Sequence, residues 1–83
     1  MITGSQIRAA RAWLNWSLVY LAEKAGVAAK TISRFELVDG VPQGRVSTMM
    51  DVKSALEQGG IEFLGSPDDR PGIRFLKNNS PEN

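Results

Sequence analysis

The chain has 83 residues, enough for one small domain and too few for a second core. It contains no cysteine and no histidine, which excludes disulfides, the usual zinc sites, Cys–His pairs and Ser–His–Asp triads. Its net charge of +1 is unevenly spread: residues 1–50 carry six Lys and Arg against three Asp and Glu, whereas residues 51–83 carry four against six, so the front half is better suited to a polyanion.

In chain order, Thr3 and Gln6 have the spacing of a capping box, which starts a helix near residue 4. Ile7, Ala10 and Leu14 recur at helical spacing, with Ala9 and Trp13 widening the stripe and Arg8 and Arg11 outside it or at its edge. Asn15 ends this helix and Ser17 caps a second, whose apolar face is Leu18, Leu21, Ala22 and Ala25 and whose stop is Gly26. A third helix spans about 28–36, with Ile32 and Phe35 inward. Two helices joined by a short glycine-containing turn make a helix-turn-helix unit.

The stretch "VDGVPQG" (38–44) is loop chemistry, because Asp39-Gly40 marks a turn and Pro42 disfavours helical geometry at Val41. A fourth helix, about 45–58, follows from Val46, Met49, Val52, Ala55 and Leu56, and Gly59-Gly60 breaks it. The period then changes. "IEFL" (61–64) and "IRFLK" (73–77) alternate as strands around the turn-rich "GSPDDRPG", and 78–83 reads as a flexible tail. The predicted fold is mostly α: a four-helix domain over 1–60 with a two-stranded β element over 61–77. No leader and no run of about 18 apolar residues is present, so the expectation is a soluble cytoplasmic protein without membrane contact.

"WSLVYLAEKAGVAAKTISRFE" (16–36) resembles the helix-turn-helix of the phage-repressor and Cro-like regulators, the xenobiotic-response-element type, with a lambda-repressor-like fold. Ser17, Leu21, Ala22, Gly26, Val27, Thr31, Ile32, Ser33 and Glu36 stand at the offsets of that family's pattern. The same residues make physical sense as a scaffold: Leu21, Ala22 and Ile32 fill the angle between two crossing helices, and Gly26 makes a turn that a side chain would block.

The resemblance implies that the helix 28–36 enters the major groove of double-stranded DNA, with Ala29, Lys30, Ser33 and Arg34 facing base edges. Arg34 suits a bidentate contact to guanine, Lys30 a guanine or a phosphate, and Ala29 a thymine methyl. Phosphate contacts fall to Ser17, Tyr20, Thr31, Gln43 and Arg45. Against this stand ordinary alternatives: a solvated helix face for Lys30 and Arg34, self-capping for Ser17 and Thr31, and plain loop for Gln43. Arg11 and Glu36 occupy positions where the family carries a structural ion pair.

The sequence departs from the family at Leu18, Val19 and Tyr20, where Gln and polar residues are usual, and at Leu37 and Val38 after Glu36. Leu18 can lean onto the core, but Val19 and Tyr20 cannot all share that face, and an exposed apolar cluster suits a protein partner. Ile61, Phe63, Ile73 and Phe75 alternate onto one face of the strands, either as a seam with a second subunit or as a lid on the chain's own core; dimerisation is the favoured expectation. The leading reading is thus a regulator, a repressor binding a palindromic operator as a homodimer. The alternative is an antitoxin or protein-interaction module using the apolar turn Leu18–Tyr20. An enzyme is not expected, nor is a metal or other cofactor.

Overall fold

A computed structural model describes residues 1–76. Its elements are α1 (Gly4–Leu14), α2 (Leu18–Ala25), α3 (Ala29–Glu36), α4 (Val46–Gln58), β1 (Ile61–Ser66) and β2 (Asp69–Phe75). The tail 78–83 and Lys77, the expected last strand residue, lie outside the described residues.

The ends of α1 and α2 have local causes. At the start of α1 the Thr3 hydroxyl accepts from the Gln6 amide N–H (3.1 Å) and the Gln6 side-chain oxygen accepts from the Thr3 N–H (2.8 Å), so two otherwise unpaired donors are satisfied. Asn15 closes α1 in the left-handed region (φ 58°), and the Trp16 N–H returns to the Arg11 carbonyl. Ser17 caps α2 by accepting from the Tyr20 N–H at 3.0 Å. Gly26, at φ 72°, ends α2, with the Gly26 and Val27 N–H groups donating to the Ala22 carbonyl.

One core binds the four helices. Ile7 and Ala10 of α1, Leu21 and Ala22 of α2, Ile32 and Phe35 of α3, and Met49, Val52, Ala55 and Leu56 of α4 are all buried. The small Ala22 sits where α2 approaches its neighbours, and α2 packs on both α3 and α4 while α1 packs on α3. Val46 keeps the spacing of the buried set but is exposed, because it is the first residue of α4 and projects beyond the packed turn.

The strands pair antiparallel with Ile61 opposite Phe75 and Phe63 opposite Ile73, and both run further than expected into the turn-rich segment. Gly65 is the reason. At φ 70° it bends the strand at an irregularity between Leu64 and Ser66, and pairing resumes at Ser66 opposite Asp69. Only Pro67 and Asp68 remain between the strands.

The apolar face of this hairpin turns inward. Ile61 is 1% exposed within the single chain, Phe63 and Ile73 pack partly on the core, and Phe75 stacks on Trp13 with ring centroids 4.3 Å apart. Ile61, Phe63 and Ile73 thus face the chain's own core, as in the lid alternative, whereas Phe75, 41% exposed, stays partly on the surface beside Trp13. The physical reason is that β1 follows α4 after a two-residue break, which leaves its apolar side over the gap between α1 and α4. A buried amide fastens the lid: Gln6 Nε2 donates to the Gly72 carbonyl at 2.7 Å and more weakly to that of Leu64 at 3.4 Å.

Candidate nucleic-acid interface

α3 is amphipathic in the strict sense that its two large apolar residues, Ile32 and Phe35, point into the core. Helical phase then forces Lys30, Ser33 and Arg34 outward, and all three are exposed; Ala29 and Thr31 are half-buried at the flanks. Three of the four residues assigned to base edges thus lie along the outer side of one short helix, while Ala29 sits at its flank and packs partly on the core. Ala28, which precedes it, supplies no side-chain acceptor to the first turn.

Two arginines of α1 hold the far end of α3. Arg11 grips Glu36 in a fork, Nε to Oε2 at 2.8 Å and Nη2 to Oε1 at 2.9 Å, while its Nη1 donates to the Trp16 carbonyl at 3.1 Å. The Glu36 hydrogen bond, and secondarily its charge, raises the Arg11 pKa against the opposing effect of burial. Arg8 donates to the Glu36 and Val38 carbonyls, to the Ser5 hydroxyl (3.1 Å) and to Asp39 Oδ1 (2.7 Å). Cations at a helix C-terminus also meet the negative end of its dipole. Asp39 is held below the usual carboxylate range, first by the Arg8 hydrogen bond, then by the Arg8 charge and the Ser5 hydroxyl.

This changes which positive charges are available to a ligand. Arg8 and Arg11 are engaged within the fold, and Arg70 and Arg74 pair with Asp69 and Glu62 in the hairpin. Lys30, Arg34 and Arg45 make no ion pair among the described residues. Thr31, Arg34 and Arg45 line one open depression of about 430 Å³, together with Thr48 and the carboxylate of Asp51. Gln43 stands apart from Arg45 and shares with Arg34 a neighbouring depression whose other walls are Leu37, Val38, Val41 and Pro42.

Ser17 and Tyr20 are elsewhere, beside Asn15 and Trp16 at the start of α2. The Ser17 oxygen is already an acceptor for its own helix, which leaves its hydroxyl proton to donate. Tyr20 lies edge-on to Trp16 (5.0 Å, 74°), with the Lys24 ammonium 5.8 Å from its ring centre. Leu18 packs partly on the core, whereas Val19 is 58% exposed. The residues assigned to phosphates therefore fall in three places, two of which share Arg34.

Sequence reasoning missed Arg8, Ser5 and Asp39. The only available signal was the three-residue spacing of Arg8 and Arg11, which puts both on the same side of α1. It also missed Gln6 as the anchor of the hairpin, because its cap role had already accounted for it.

Among the described residues no helix is long and apolar enough to cross a membrane, and no group of three or more acidic residues is placed to hold a metal ion. A helix-turn-helix family model matches residues 7–37. No curated protein matches the chain. The match begins at the first buried residue of α1 after the capping box and ends one residue beyond the Arg11–Glu36 fork, so it covers the two crossing helices and the brace that holds them. With an exposed outer side on α3 and a glycine turn before it, residues 7–37 form a helix-turn-helix similar to that of the phage-repressor and Cro-like DNA-binding regulators.

Proposed function

We infer that the chain is a sequence-specific repressor that binds a palindromic operator as a homodimer and acts by occupancy in the cytoplasm. α3 enters the major groove, Arg34 contacts guanine, Lys30 a guanine or phosphate, Ser33 a base edge and Ala29 a thymine methyl. Thr31 and Arg45 contact the phosphates beside α3, Gln43 the strand beyond it, and Ser17 and Tyr20 the backbone crossed by α2. The observation that carries this reading is the division of the cations: those that brace α3 are paired internally, whereas Lys30, Arg34 and Arg45, on or beside it, are exposed and make no ion pair among the described residues.

Ile61 is buried within the single chain, so a two-fold contact at the hairpin would use the exposed Phe75 and Leu76, the strand edges or another surface. The test is selection of bound sequences from a random duplex pool, repeated with Arg34→Ala. A recovered palindrome whose half-sites each lose one specified base in the variant supports the reading; recovery of no preferred sequence overturns it. A second reading, a protein-interaction module, is favoured by one observation, the exposure of Val19 beside Tyr20 at the start of α2.

A further inference from the structure

α3 is closed by Leu37, whose backbone is still right-handed helical (φ −74°, ψ −16°), so its side chain keeps the phase of the helix. At 3.6 residues per turn Leu37 lies about 20° around the axis from Lys30, between Ser33 and Arg34. It is therefore on the midline of the outer side. It is also 79% exposed, more than any other large hydrophobic side chain among the described residues.

Leu37 is not isolated. Val38 and Val41 continue its exposed apolar surface, and together with the buried Pro42 they share with Arg34 and Gln43 one open depression of about 500 Å³. A duplex that reached both Arg34 and Gln43 would cover Leu37. Phosphates offer nothing to such a surface; the apolar group that the major groove presents is the thymine C5-methyl. Leu37 follows Ser33 and Arg34 by about one turn, about 5 Å of rise, which corresponds to between one and two base-pair steps of about 3.4 Å each.

We propose that Leu37 is a specificity-determining residue that reads a thymine methyl one or two base pairs from the base contacted by Arg34. This rests on the regulator reading above and adds to it a defined apolar position in each half-site.

The experiment uses the full chain and the operator recovered by selection, with each thymine replaced singly by deoxyuridine, which removes only the methyl group. The wild-type protein is expected to lose about fourfold in affinity at one thymine per half-site, the factor for one buried methyl-sized group. Leu37→Ala should bind thymine and deoxyuridine alike at that position, while any methyl sensitivity due to Ala29 persists elsewhere. Because Leu37 is so exposed, the variant should melt with the wild type, and the melt is run alongside. Identical deoxyuridine profiles for the two proteins overturn the proposal. So does a variant that changes the mass of the assembly in solution without altering the thymine-to-deoxyuridine ratio, which would give the surface to a second copy of the chain. Recovery of no operator defeats the regulator reading itself and is distinct from an operator that is recovered but indifferent to the methyl group.

Discussion

At Glu36 the main chain and the side chain are held by different arginines, the carbonyl by Arg8 and the carboxylate by Arg11. The pair is unequally buried, with side-chain exposures of 10% for Glu36 and 27% for Arg11. Glu36→Ala would therefore leave Arg11 with the Trp16 carbonyl and some water rather than stranded. The cost should be that of a charged hydrogen bond, about 2 kcal/mol, rather than the larger penalty of a fully buried orphan. Thermal melts should show a midpoint lowered by roughly 8–16 °C for a domain of this size; an unchanged midpoint would mean that the fork contributes nothing. Glu36 and Arg11 were legible because they are fixed by a family pattern. Arg8 and Asp39 were not, since 31 residues separate them and no local pattern marks a pair that only the tertiary fold brings together. The charge count misled for the same reason, as it credited Arg8 and Arg11 to a ligand when the fold uses both.

Among the elements, the contact between the first residue of α1 and the end of α3 sets how closely the two helices approach. A Cβ on Gly4 would lie 2.0 Å from the Val38 carbonyl oxygen and 2.3 Å from that of Phe35, and the Gly4 N–H donates to the Gly40 carbonyl at 2.9 Å. On an open helix Gly→Ala stabilises by about 1 kcal/mol. Here backbone oxygens stand in the way, and moving α1 aside strains its bond to Gly40. Gly4→Ala should therefore destabilise by about 2 kcal/mol net, as overpacking does, read as a lower denaturant midpoint at an unchanged slope. A stabilised variant would show that the approach is looser than this geometry. The helices themselves were legible to within a residue or so, because caps, glycine stops and apolar spacing all agree on them. The strands were found but cut short: a glycine-rich turn and a bulged strand look alike until the partner strand is in place.

For the whole molecule, periodicity established that the hairpin has an apolar side but not what covers it. That depends on where α4 delivers the chain, and Ile61 proves to be part of the core. Phe75 at the end of the hairpin stays exposed, and further exposed apolar residues, Val19 and Tyr20, lie on α2. If that surface joins subunits, Val19→Glu should halve the mass measured in solution while leaving the melt of the monomer unchanged. An assembly of unaltered mass would remove Val19 from the contact.

The buried Gln6 amide has a consequence beyond its separate hydrogen bonds. Its oxygen helps to begin the first helix, and its nitrogen ties down a strand 66 residues later. One planar group thus closes a ring that spans nearly all of the described residues, and any fraying of the second strand tugs directly on the nucleating turn at the opposite end of the chain.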